Sequence, residues 1–400
     1  MRVSHGVRLG RVAGVEIGLD WSLLIIFGLI AVMLAEGAFP AWHPDWTAAI
    51  AWGTAVAAAT LFFLSVLLHE LSHALVGRRV GVSIRRITLF MFGGMAHMEG
   101  EPPSWRAELV MALVGPLTSF VLGLVFLLLA AASLGGKMVG VNGAWDALPT
   151  AGPLPTLLLW LGPVNIILAV FNLVPGFPLD GGRALRAILW GVSGDMVSAT
   201  RWASRGGQAF AWLLILAGIG MIFGLRVPVF GGGLINGLWL AFIGWFLNNA
   251  ALASYRQLLV RESLEHVPVS RLMQTRLTAV PPELSLASLV DDVMSPSGQR
   301  AFPVEDDGRL LGVVFVGDLN RVDRRAWHQT AVRSVMIPAE SLITIGPARD
   351  AMEALGTLGE YNVNQLAVVE NGRLLGLLRR EDLLAWLAVH APGQRAQRAQ

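Results

Sequence analysis

The chain has 400 residues, of which 54% are hydrophobic and only 14% charged, where an ordinary soluble domain carries about a quarter charged. The 30 Lys and Arg against 28 Asp and Glu leave a net charge of +2, and the arginines are spread over loops without forming a basic stripe, which argues against nucleic acid as a partner. No cysteine occurs, so disulfides and thiolate metal sites are excluded.

Long apolar runs fill the first 255 positions and most acidic residues follow position 260, the pattern of a membrane domain followed by a soluble one. Six stretches, roughly 17–36, 48–76, 107–134, 154–175, 207–225 and 232–253, are long enough to cross about 30 Å of hydrocarbon as helices. The first is long and no small-residue cleavage site clearly follows it, so it reads as a span and not as a cleavable signal peptide. Arg2, Arg8 and Arg11 precede it. Arg78, Arg79, Arg85, Arg86 and Arg106 separate the second and third spans, and Arg183, Arg186, Arg201 and Arg205 separate the fourth and fifth. The alternate loops carry only Lys137 and Arg226, so the positive-inside rule places both termini in the cytoplasm of a multi-pass cell-membrane protein.

The second span contains His69-Glu-Leu-Ser-His73. Residues four apart project from one helical face, so His69 and His73 can hold one metal ion while Glu70 serves as general base. Chance supplies such a motif on the order of 0.01 times in a chain of this composition. A carboxylate in a lipid span costs about 3 kcal/mol on insertion scales, which favours a functional role for Glu70.

Residues 84–100 carry β-branched and aromatic residues around Gly93-Gly94, the pattern of a β-hairpin. A strand edge at membrane depth needs cover from protein or a watery cavity, and beside an active site it could pair with an extended substrate; a simple surface hairpin is the alternative. His97 reads as a structural histidine. On the third span Gly115 and Ser119 form a small-xxx-small pair suited to close helix packing.

The fourth span ends in Asn172-Leu-Val-Pro-Gly-Phe-Pro-Leu-Asp-Gly181. Pro175 and Pro178 stop the helix and Gly181-Gly182 permit a sharp turn, which carries Asp180 back toward the second span as the third metal ligand. A zinc dication with the Asp180 and Glu70 carboxylates sums to zero charge, an easier burden to bury than either carboxylate alone. The competing role for Asp180 is a cap on the following helix. Asn172 is a candidate oxyanion donor, and Asn165 reads as a helix–helix hydrogen bond.

The soluble part contains a repeat. Arg300–Leu319 matches Asn364–Leu383 at an offset of 64, with Gly308, Gly312 and Asp318 corresponding to Gly372, Gly376 and Asp382. Each copy reads strand, turn, strand, then a helix beginning near the Asp, with an amphipathic helix upstream over 285–294 and 348–358. The expected division is a transmembrane zinc-protease domain over 1–255, a linker over 256–268, two repeats over 269–328 and 329–390, and a disordered tail over 391–400.

The HExxH motif in a membrane helix, the Phe92-Gly-Gly hairpin, Gly115-Pro116 and the Asn172–Gly181 segment resemble the site-2 protease family of intramembrane zinc metalloproteases, peptidase family M50. The repeat resembles a tandem pair of CBS domains, as in the branch of that family with a C-terminal CBS pair. The resemblance implies a polytopic α-helical membrane domain plus a cytosolic α/β CBS pair. It implies one zinc ion on His69, His73 and Asp180, Glu70 as base, and Asn172 as the family's asparagine near the ligand Asp. It further implies hydrolysis of peptide bonds in or near transmembrane segments of membrane-bound substrates, within regulated intramembrane proteolysis. CBS pairs often bind adenine nucleotides, with a hydroxyl residue and an Asp on the ribose. Here Asp318 and Asp382 are present but the hydroxyl positions are Phe315 and Arg379, a departure that favours homodimerisation and docking through the pair. A CBS-regulated transporter or channel without proteolytic activity is the alternative, and it has no need of an HExxH motif.

Overall fold

The computed structural model describes residues 6–91, 93–134, 148–228, 231–295 and 299–390, without the side chains of 96–99 and 148. The 391–400 segment, expected as a tail, lies outside these residues. The chain divides into two compact units, one ending at Arg256 and the other beginning at Gln257.

The first unit opens with a hairpin of β1 (Gly6–Val12) and β2 (Val15–Asp20). Ala13 and Gly14 both take positive φ, 50° and 80°, the mirror-image turn that matches strand twist. The expected first span therefore starts too early. Val15 and Ile17 face the core in strand register, and the helix begins only at Ser22. Among the described residues six helices are long and apolar enough to cross a membrane: α1 (Ser22–Trp42), α2 (Ala48–Arg79), α3 (Trp105–Ser133), α4 (Pro153–Asn172), α6 (Met196–Ile222) and α7 (Leu234–Leu264). Between α4 and α6 lies the shorter α5 (Asp180–Ser193).

Local chemistry sets their ends. Thr47 caps α2 through the Ile50 N–H, and Arg78 and Arg79 sit in its last turn where the helix dipole favours cations. Gly194 closes α5 in the left-handed region (φ 71°), and Asp195 then accepts from Val197 and Ser198 N–H. That cap starts α6 at Met196, well before the expected 207, and puts Arg201 and Arg205 within a helix and not a loop. Helix α7 continues to Leu264, so most of the expected linker is helical.

Strands β3 (Ser83–Phe90) and β4 (Gly93–Glu99) complete a four-stranded sheet of order β1-β2-β3-β4, with β2 and β3 parallel. Phe90 pairs with Gly93 and Leu89 with Gly94, so the glycine pair lies in β4 and not at the turn; Phe92 is outside the described residues. Val15, Ile84, Ile87 and Leu89 bury one face of the sheet against Val66 and Ala74 of α2 and Met111 of α3. Glu16 bridges Arg8 and Arg86 at 3.1 and 3.0 Å, and Arg78 donates to the Ala13 carbonyl at 2.7 Å, tying the hairpin to the end of α2.

The second unit holds β5 (Ala301–Asp306), β6 (Arg309–Phe315) and β7 (Ile337–Pro338) in one sheet. β8 (Thr344–Ile345), β9 (Gln365–Glu370) and β10 (Arg373–Arg379) form another, with α8 (Ala351–Glu360) and α9 (Arg380–His390) beside it. The turns Asp307-Gly308 and Asn371-Gly372 repeat the same positive-φ geometry 64 residues apart. Leu264 packs in the core of the second repeat with Leu358, Leu366 and Leu378. Ala301, Val313, Ala367 and Leu377 join the two repeats. The copies differ after their Asp. Asp382 opens onto α9, whereas the segment Val316–Arg321 is only a tight 3-10 turn, because Asp323 caps a new turn at Arg325.

Candidate metal centre

Helix α2 presents His69 and His73 on one face, both nearly fully buried at 3% and 5% exposure. Their Nε2 atoms lie 3.2 Å apart, and each lies 3.1 Å from Oδ2 of Asp180. Ligands about 2.0–2.1 Å from a tetrahedral zinc stand about 3.3 Å from one another, so the triangle has the dimensions zinc requires. The donor chemistry fits as well. His73 Nδ1 is 2.6 Å from the Met111 carbonyl, which can only accept, so the ring proton sits on Nδ1 and the Nε2 lone pair faces the carboxylate. Lone pair against lone pair calls for a cation between them. His69 Nδ1 is 2.9 Å from Ser119 Oγ, a hydroxyl that both donates and accepts. Among the described residues this is the one cluster of His and carboxylates with converging ligand atoms.

Asp180 reaches this point from a turn built on glycine. The Phe177 N–H donates to the Ala203 carbonyl of α6 at 3.1 Å. A Cβ on Gly207 would overlap the Phe177 carbonyl, one on Gly176 would overlap the Gly207 backbone, and one on Gly182 would overlap Gly176 and Phe177. Only bare backbone lets 173–179 nest so closely on α6. Asp180 is the first residue of α5, yet its N-cap is Leu179 without a side-chain cap, so the carboxylate faces the histidines instead of capping the helix.

Glu70 follows His69 directly on α2. Its side chain lies against β4, where a Cβ on Gly94 would overlap the Glu70 carboxylate arm. On the opposite wall a Cβ on Gly115 would overlap Nε2 of His73 and lie 2.7 Å from Nε2 of His69. Gly115 and Ser119, expected only to ease packing, thus border the imidazoles directly. Asn172 donates to the Leu168 carbonyl at 3.0 Å, and Asn165 to the Leu161 carbonyl at 2.9 Å. His97 lies on β4, paired with Arg86, and its side chain is outside the described set. His43 is 2.8 Å from Thr156 Oγ1 and stacks on Trp46.

The family model for peptidase family M50 matches residues 57–144 and 131–214, and that for the CBS domain matches 269–324 and 332–389. Rip3 of Mycobacterium tuberculosis, provisionally named a zinc metalloprotease, is 31% identical over 392 residues, which cover 97% of this chain and 94% of the relative. The chain belongs to peptidase family M50. Zinc metalloprotease MJ0392 of Methanocaldococcus jannaschii is 28% identical over 82% of this chain and 84% of its own. The solved site-2 protease from that organism covers 63% of this chain and 96% of its own, at 28% identity and a TM-score of 0.41. As an M50 member the chain is a zinc metalloprotease of site-2 protease type and a multi-pass membrane protein with a tandem CBS pair. The transporter reading is set aside.

Proposed function

We propose that the protein cleaves membrane-bound substrates within or beside their transmembrane segments, with His69, His73 and Asp180 holding zinc and Glu70 moving the proton. The observation that carries this is the 3.1–3.2 Å triangle of ligand atoms drawn from α2 and α5, next to a glutamate in the apolar part of the chain. When bound, zinc supplies Lewis acidity that acidifies water and polarises a carbonyl. Glu70 takes the proton from the attacking water and returns it to the leaving amine. Asn172 keeps one amide hydrogen free of its Leu168 bond, and that hydrogen serves a developing oxyanion.

A helical peptide bond is shielded by its own turn, so the substrate must unwind to react. Strand β4 ends the sheet order, and Gly94 brings it against Glu70. An extended substrate adding to that edge would lie beside the base. The arginine pattern supports cytoplasmic termini and a cytoplasmic CBS pair. The proposed division is a protease domain over 1–255 and repeats over 269–328 and 329–390. Within the pair, Arg379 is folded onto Asp382 at 2.7 Å, which favours a docking and homodimerisation role over an adenine-nucleotide site; calorimetry with AMP and ATP tests it.

The deciding experiment compares wild type with Glu70→Gln in a membrane-fragment proteome and by zinc content. Fragments lost with one zinc per chain retained support the assignment; undiminished cleavage would remove Glu70 as the base.

A further inference from the structure

The stripe of α3 that borders the imidazoles does not stop at them. Glu108, Met111, Gly115 and Ser119 follow one another at helical spacings of 3, 4 and 4, so they share one face. Met111 and Ser119 hold the two imidazoles. Glu108, at the start of the stripe and fully buried, accepts from Arg186 Nε of α5 at 2.6 Å. The Arg186 guanidinium also donates to Glu101 at 3.1 Å and lies over the Phe177 ring, 5.4 Å from its centroid. Arg186 is itself 5% exposed, so it is no loop charge marking a membrane side, as its place in the sequence suggested.

We propose that Arg186, gripped by Glu108, is a positioning residue that sets where Asp180 stands. Asp180 begins α5 and Arg186 lies six residues on, about 9 Å farther along the axis and on a different side of the helix. Two attachment points on different sides fix both the rotation and the tilt of a 14-residue helix. Phe177, three residues before Asp180, is held by the same guanidinium, so Arg186 brackets the ligand from both directions. A buried ion pair adds little net stability over an apolar pair of the same shape, and its established use is to fix register. The Arg fork supplies directional, charge-assisted bonds suited to that task. Among the described residues one Glu108 oxygen, Oε2, has no hydrogen-bond partner in its buried position, a cost that packing alone would not require. Helix α3 is thereby a common rail: all three proposed ligands take their alignment from one face of it.

This inference rests on the zinc-ligand assignment, so the test includes Asp180→Asn as reference. The full-length chain in detergent is titrated with Zn2+ against a chelator, and the visible spectrum of the Co2+-loaded form is recorded. Arg186→Met is expected to weaken zinc binding by about 10–100-fold, to move the Co2+ spectrum toward that of Asp180→Asn, and to recover in part as Arg186→Lys. Ser204→Ala, which removes a buried bond between α6 and α7, is expected to lower thermal stability and leave zinc affinity unchanged. A folded Arg186→Met with wild-type affinity and spectrum, alongside a weakened Asp180→Asn, overturns the positioning role alone. Wild-type affinity in Asp180→Asn overturns the ligand assignment itself. Should Arg186→Met not fold, Glu108→Gln gives the same readout, with weakened zinc binding supporting the role and unchanged binding refuting it.

Discussion

Gly115 faces His73 so closely that any side chain on it would occupy the space of the imidazole Nε2. Helix α3 therefore meets the metal centre with bare backbone, and it can hold His73 through the Met111 carbonyl and His69 through Ser119 at the same time.

Gly115→Ala should push both imidazoles out of register with Asp180. The expected result is a loss of zinc affinity of at least about 100-fold, beyond what loss of a single supporting contact gives. Zinc content after dialysis against a weak chelator checks it. A variant that keeps one zinc per chain would mean that α3 can retreat without disturbing the ligands.

Gly94→Ala acts on the other wall. Its methyl group meets the arm of Glu70 and leaves the three ligand atoms untouched. Displacing a proton-transfer group by about an ångström costs on the order of 100-fold in rate, so cleavage should fall by that factor while zinc stays bound. Single-turnover cleavage of a reconstituted transmembrane substrate, with metal analysis of the same sample, separates rate from occupancy. Equal loss of both would place the damage at the ligands instead.

Ser119→Ala removes the partner of His69 Nδ1 without adding bulk. Losing an outer hydrogen bond to a ligating histidine typically costs 10–100-fold in metal affinity, and the same range is expected here. The reading is the zinc dissociation constant, measured beside Thr118→Ala, whose hydroxyl donates to the Val114 carbonyl of its own helix. Indistinguishable constants for the two variants would make Ser119 a packing residue after all.

Gly207→Ala tests the cradle under Asp180. The added carbon meets the Phe177 carbonyl, and overpacking of this kind costs about 1–3 kcal/mol. A lowered melting temperature together with weaker zinc binding is expected, because the strained turn leads directly into Asp180. A melting temperature equal to wild type would show that α6 and the 173–179 turn separate easily.

How much of this was legible follows from how local each signal is. The HExxH pair and its helix, the Asp-Gly and Asn-Gly turns and the 64-residue repeat are written in consecutive residues, and each appears where the sequence placed it. The N-terminal hairpin was obscured because Val15–Asp20 merges with the apolar run after it; only pairing with Ile87 and its neighbours separates strand from span. The early start of α6 had a signal in Asp195, a good N-cap after a glycine, but the polar stretch that follows reads as a loop until the helix is packed. The expected span starts at 207, whereas Gly206 and Gly207 lie within α6, where the Pro175–Phe177 backbone lies down on it.

The sequence by itself determined the ingredients: apolar runs long enough to be helices, a histidine pair on one helical face, a carboxylate after a broken helix, and a doubled soluble module. These depend on spacing along the chain, which periodicity reports directly. Only the tertiary structure decided that Asp180 meets the imidazoles, that Ser119 and the Met111 carbonyl orient them, and that Glu108 grips Arg186 behind the site. Those contacts join residues 38 to 111 positions apart. Each depends on how closely separate helices approach, a distance no pattern along the chain encodes.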